Sequence, residues 1–257
     1  MASPQHYAWA GGHILLLLTA LRYLLAYVTF SSGTHTWWYK AAYLGALVSY
    51  SIVCHKSMGA FQPNAAFATR FLTDENSQYL LLAFAWFLSK PVPVALIPFA
   101  IFSLFHTLTF VRTTVLPQVM GQRPAAPGQA APPPPAIAKT IQQWVKTNYD
   151  PAMKIVAYVE IFIFARLALG LLVRQSSILS VLVYIHFIRM RYVQSMYTRD
   201  AFARLRSEVD ARIGGLPPIV GQVWGYVLQG CSLFIGSKVI EPQPAPNARR
   251  GTAPAAK

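Results

Sequence analysis

Residues 184–206 read YIHFIRMRYVQSMYTRDAFARLR, and within them an uncharged apolar run turns into a basic helical pattern. Residues 176–188 carry no Lys, Arg, Asp or Glu, whereas from Arg189 to the end there are ten Lys or Arg and four acids. Basic side chains near anionic headgroups gain roughly 1 kcal/mol each. The junction is therefore expected to mark where the chain leaves a bilayer and lies along its cytosolic face.

The composition agrees with a membrane protein. Of 257 residues, 54% are apolar and 12% charged, against roughly 25% charged in a soluble domain. A net charge of +14 suits anionic lipid or nucleic acid, and the apolar context favours lipid over nucleic acid. Cys54 and Cys231 stand far apart in apolar runs and suggest neither a disulfide framework nor paired metal ligands. Residues 1–12 contain no Lys or Arg and no small-residue cleavage site follows the first apolar run, so that run is expected to be retained.

Apolar runs at 13–30 and 37–54, separated by a turn containing Gly33, predict a helical hairpin over residues 13–54 after an N-terminal segment, 1–12. Each run has 18 residues, near the lower limit of about 17 for spanning. A polar connector, 55–78, leads to 79–111, where Lys90, Pro91 and Pro93 interrupt the run. As one helix this would measure about 50 Å against a core of about 30 Å. Proline also breaks the hydrogen-bond ladder, so two short helices, 79–89 and 94–111, form a second predicted hairpin. Residues 116–138 lack apolar periodicity and are rich in Pro, Ala and Gly, a spacer composition, within a linker and re-entry segment at 112–152. Runs at 153–173 and 176–188 make a third hairpin, followed by basic and amphipathic surface helices, 189–240, and a disordered tail, 241–257. The expected class is an all-α integral membrane protein of short transmembrane hairpins with C-terminal amphipathic helices. Lys and Arg concentrate in the connectors and tail, which places these and the N-terminus in the cytosol.

Intramembrane charge is costly. Arg22 lies inside the first run and Glu160 is the one acid inside any run, so the two are expected to pair. Six histidines, none closer than seven positions to another, lack the short spacing that puts two metal ligands on one helix face. Convergence of His13, His55, His106 and His186 from different helices stays open. No nucleophile elbow, phosphate loop or dinucleotide fingerprint is present, and neither an enzyme nor a cofactor is indicated.

On a helical wheel, Phe202, Leu205, Val209 and Ile213 form one stripe flanked by Arg206 and Arg212, with Arg189, Arg191 and Arg199 upstream. This is an interfacial pattern, with packing against a protein core as the alternative. In 216–240, Val223, Trp224, Val227 and Phe234 share an apolar face opposite Gly221, Gln222, Gly225, Gln229 and Ser232. That segment is expected to enter lipid-packing defects on curved membrane. A further span packed through Gly221 and Gly225, or a helix packed on the hairpins, are the other readings.

The strings IPFAIFSLFH at 97–106, ending in Val111 and Arg112, and RMRY at 189–192 with Ser195, Tyr197, Arg199, Phe202, Leu205 and Arg206 resemble the transmembrane protein 33 family. Asp74, Asn76 and Tyr79, and YDPAM at 149–153 with Glu160, are also similar to family positions. The resemblance spans roughly residues 10–240, excluding the proline-rich insert and the tail after Glu241. It implies a membrane protein of the endoplasmic reticulum and nuclear envelope, its tail cytosolic or nucleoplasmic. The implied partners are reticulon-type membrane shapers and nucleoporins; no catalytic residues are implied. A nuclear transport receptor docking on the basic tail is compatible with this. The expected function is to shape or stabilise curved membrane and to contribute to nuclear pore complex assembly or distribution. The rival reading is a transporter or channel whose polar path is lined by Arg22, Glu160 and Arg166.

Overall fold

The computed structural model describes residues 3–120 and 135–235. Among these residues the regular structure is entirely helical. Helix α1 spans Pro4–Val28, α2 Thr36–Met58, α3 Ala65–Thr73, α4 Glu75–Leu88, α5 Leu96–Phe110 and α6 Leu116–Val119. Helix α7 spans Ala136–Leu172, α8 Ile178–Gln194, α9 Met196–Ile213 and α10 Pro218–Ile235. The chain divides into two compact units, Met1–Tyr184 and Ile185–Lys257.

Local chemistry sets the helix ends. Ser3 accepts the His6 amide at the start of α1, and Pro4 takes the first helical position, where its missing N–H costs nothing. Asp74 caps α4 by accepting the Ser77 amide at 2.9 Å. Two turns in the first unit share one construction. After α1, the Phe30 amide donates to Tyr27 O and the Ser31 amide to Ala26 O. After α7, the Arg174 amide donates to Leu171 O and the Gln175 amide to Gly170 O. Both are Schellman closures, and both put a non-glycine residue, Phe30 or Arg174, at φ 56°.

Helices α1 and α2 pack antiparallel, with α4 against α2, α5 against α1 and α7 against α5. The α1–α2 face is built from small and polar side chains. Ala10, Gly12, Leu16, Thr19 and Ala20 are buried on α1, and Ala42, Gly45, Ala46 and Ser49 on α2. Ser49 Oγ donates to Trp9 O at 2.8 Å. Leu15, Leu18, Leu21 and Leu25 point outward. This inversion of a soluble helix follows from lipid as solvent, because leucine gains little by leaving hydrocarbon, whereas close backbone approach gains dispersion energy.

Three helical stretches among the described residues are long and apolar enough to cross a membrane: Pro4–Val28, Pro93–Val119 and Ala136–Leu172. Helix α2 is comparable in length but less apolar, carrying Lys40, Ser49 and several tyrosines. Lys40 Nζ reaches the open C-terminus of α4, donating to Phe87 O and, at 2.6 Å, to Ser89 O. The break between α4 and α5 covers residues 89–95 and contains Pro91 and Pro93, the latter opening a short 3-10 turn.

Helix bounds run beyond the apolar runs at two places. Met153 does not begin a helix, since α7 starts at Ala136 and carries Pro151 in its interior. At 37 residues it is about 55 Å long, beyond a core of about 30 Å, so its polar N-terminal half extends the apolar run. The connector 55–78 is mostly helical, holding the end of α2, all of α3 and the first turn of α4. Most of the proline-rich insert, residues 121–134, lies outside the described residues, as does the tail 241–257.

The glycine contact is testable. A Cβ on Gly12 would lie 2.7 Å from Gly45 O, and one on Gly45 would lie 2.5 Å from Gly12 O, whereas Gly11 has nothing within 4 Å. Gly45→Ala should lower stability in detergent by about 1–3 kcal/mol through overpacking. Gly11→Ala should be neutral or gain up to about 1 kcal/mol from helix propensity. Thermal unfolding of both variants checks the contact, and equal melting temperatures would contradict it.

Candidate functional site

Inside the first unit, polar side chains from separate helices meet in one buried seam. His13 Nδ1 lies 2.9 Å from Ser103 Oγ. The His13 ring is 4.5 Å from that of His106 and 5.8 Å from that of Tyr50, which stacks on Tyr79 at 5.7 Å. Tyr79 donates its hydroxyl to Glu160 Oε1 at 2.5 Å, and Tyr184 donates to Glu160 O at 3.1 Å. Glu160 is 1% exposed. A buried carboxyl needs hydrogen-bonding groups where water is absent. The phenol of Tyr79 meets that need and ties α4 to α7.

The expected pair of Arg22 with Glu160 is not formed. Arg22 Nη2 lies 3.0 Å from His35 Nε2, and its guanidinium lies 5.9 Å from the Trp38 ring. The reason is depth. Glu160 sits at the level of His13, linked through Tyr50 and Tyr79, and Arg22 is nine residues further along α1, about 14 Å. It belongs to the end of the bundle where the α1–α2 turn supplies a partner.

Of the four histidines whose convergence was left open, His13 and His106 meet, while His55 is exposed at the end of α2. Among the described residues, no group of three or more His, Cys, Asp or Glu is placed to hold a metal ion. Cys54 and Cys231 are both free thiols. Arg22, Glu160 and Arg166 do not line a common path, since Arg22 faces the turn, Glu160 is buried and Arg166 is exposed on α7. Sequence spacing signalled the histidine pair only weakly, and Ser103 and Tyr79 carried no motif that would have joined them to it.

The second unit holds the sequence-predicted surface residues. Ser195 caps α9 by accepting the Thr198 amide at 3.3 Å. Arg199 turns back to donate to Tyr192 O and Val193 O at 3.2 and 2.9 Å, satisfying carbonyls at the end of α8. Phe202 packs edge-on against Tyr192, with ring centroids 5.6 Å apart. Arg206 pairs with Asp210 at 3.4 Å and Arg212 with Glu208 at 2.7 Å, each one turn apart. Leu205 is exposed and Val209 half-buried; Arg189 is exposed and Arg191 buried.

On α10, Val223 and Val227 are exposed together with Ile219, Tyr226 and Leu233, forming one apolar stripe. Trp224 departs from the expected face. Its Nε1 donates to Asp210 Oδ1 at 2.6 Å, which turns the indole toward α9 and leaves the exposed stripe to its neighbours. Tyr226 and Leu233 lie just outside the apolar face expected from the sequence, on the side away from Trp224. The side chain of Phe234 lies outside the described residues.

The seam generates a direct test. Tyr79→Phe removes the donor to Glu160 and should lower stability in detergent by about 1–3 kcal/mol. Arg22→Leu and Glu160→Leu should be additive in the double variant, as separated sites are to within about 0.5 kcal/mol. Recovery in the double variant would restore the discarded pairing.

Residues 2–229 match the family described as Transmembrane protein 33/Nucleoporin POM33. The chain is 37% identical over 251 residues to Nucleoporin POM33 of Chaetomium thermophilum, covering 91% of this chain and 87% of that protein. It is 29% identical over 256 residues to Tetra-spanning protein 1 of Schizosaccharomyces pombe, covering 96% and 90%. It is 26% identical over 174 residues to Transmembrane protein 33 of Rattus norvegicus, covering 67% and 66%. No solved structure matches the chain. With its helical bundle and lipid-facing leucines, this chain belongs to the Transmembrane protein 33/Nucleoporin POM33 family of membrane proteins.

Proposed function

We propose that the protein is a non-enzymatic component of the endoplasmic reticulum and nuclear envelope that stabilises curved membrane and contributes to nuclear pore complex assembly or distribution. The observation that carries the membrane-shaping part is the exposed stripe of Ile219, Val223, Tyr226, Val227 and Leu233 on α10. A helix with an apolar stripe and an uncharged opposite face binds lipid through insertion into packing defects, which curvature enlarges. Arg189 and Arg204 are exposed and add attraction to anionic headgroups, whereas Arg206 and Arg212 are partly neutralised by their own i,i+4 acids. The names of the fungal relatives, a nucleoporin and a pore membrane protein, support the pore assignment. Nucleoporins and reticulon-type shapers are the partners that go with it, and a nuclear transport receptor on the basic tail is compatible. Val223, Val227, Leu205 and Phe202 are the proposed lipid-contacting residues, with Arg189 and Arg199 on the basic flank and Trp224 holding α10 to α9; Arg191, expected on that flank, is buried and takes no part in it.

Purified full-length protein should tubulate liposomes, and Val223→Asp with Val227→Asp should cut tubule number by at least about tenfold, since each buried charge costs several kcal/mol in lipid. In cells the same double variant should lose enrichment at the nuclear rim. Undiminished tubulation by the double variant would remove α10 from the mechanism. Ion flux without tubulation would favour the transporter reading.

A further inference from the structure

Among the described residues, three charged side chains within the helical part of the first unit are satisfied internally. Arg22 meets His35, Lys40 caps α4 and Glu160 accepts from Tyr79. Arg166 has no hydrogen-bond or ion-pair partner among the described residues, yet it stands on the apolar part of α7. Phe162, Arg166, Leu169 and Val173 follow one another at helical spacing and are all exposed. Beside them opens a groove of about 430 Å³ that continues to Gln175 and Ser176 in the α7–α8 turn. The turn shapes this groove: Gly170 accepts the Gln175 and Ser176 amides at 2.7 and 3.0 Å, and a Cβ on Gly170 would collide with Ser176 Oγ.

A lone guanidinium on a lipid-facing helix needs an anion or water. Arg166 lies six residues from the end of α7, about 9 Å, a depth from which an arginine reaches the headgroup layer while its stem covers apolar surface. The local charge is uniformly positive. No Asp or Glu occurs between Glu160 and Asp200, and Arg174 stands exposed in the same turn. The groove walls below the guanidinium are apolar, which suits an acyl chain and not a free anion.

We propose that Arg166 and the groove formed by Phe162, Leu169, Val173 and the Gln175–Ser176 turn bind one acidic phospholipid, with its phosphate on the guanidinium and one acyl chain along the groove. The phosphate matches the forked donor geometry of arginine. This site is separate from the lipid-contacting stripe proposed for α10. It belongs to the first unit, at the end that carries the α1–α2 turn.

Native mass spectrometry of the full-length protein, with phosphatidylinositol, phosphatidylcholine or inorganic phosphate added, tests the proposal. Phosphatidylinositol should be retained in preference to phosphatidylcholine, and Arg166→Gln should weaken its retention about tenfold, the value of one charge-assisted contact. Leu169→Trp, which fills the groove and keeps the cation, should weaken it too. Val223→Asp with Val227→Asp should leave it intact, so failure of the α10 reading and failure of this one are distinguishable. Both groove positions are exposed, and an unchanged melting temperature without lipid shows that the variants fold. The proposal is overturned if both lipids are retained equally, if Arg166→Gln binds as the parent does, if phosphate alone reproduces the effect, or if the tail variant abolishes it.

Discussion

Everything in the first unit depends on the close backbone approach of α1 and α2 at Gly12 and Gly45, where no side chain could be accommodated between the chains. In water, apolar side chains would drive such packing. In lipid they contribute little, and association relies on dispersion and on hydrogen bonds hidden from hydrocarbon. The buried face of α1 accordingly carries a single leucine, Leu16, beside Ala10, Ala20, Ala26, Gly12, His13, Thr19 and Tyr23. Once the two helices are set, α4 and α5 pack against their outer sides and α7 against α5.

That frame brings polar groups to a common depth. His13, Tyr50, Tyr79, Ser103, His106 and Glu160 come from separate parts of the chain and meet because antiparallel helices place their residues at matching heights. The arrangement joins helices without presenting an open, metal-ready cluster among the described residues. Its chemistry is that of a structural network, in which each satisfied donor avoids the large penalty of a buried unpaired polar group.

The second unit is built on a different balance. Two of its cations, Arg206 and Arg212, are paired with acids one turn away along α9, and the single indole of α10 is used to hold α9 and α10 together. What stays free is an apolar stripe with little charge around it. That stripe is the feature on which the proposed lipid contact rests.

The sequence by itself determined the helical membrane class, through long apolar runs with few charges, and the position of the helix break at Lys90–Pro93. Both are local properties, set by side-chain hydropathy and by proline's missing donor. It also marked Arg22, Glu160 and Arg166 as the charges requiring explanation. Tertiary structure alone decided how each was answered, because a charge's partner depends on its height in the bundle, and linear order does not carry height across helices. Arg22 therefore met His35 in its own turn, Glu160 met Tyr79 from α4, and Arg166 was left facing outward. The same limit applied to α10. A helical wheel identifies which residues share a face, but only the neighbouring helix decided that Trp224 turns to Asp210 while Val223 and Val227 stay exposed.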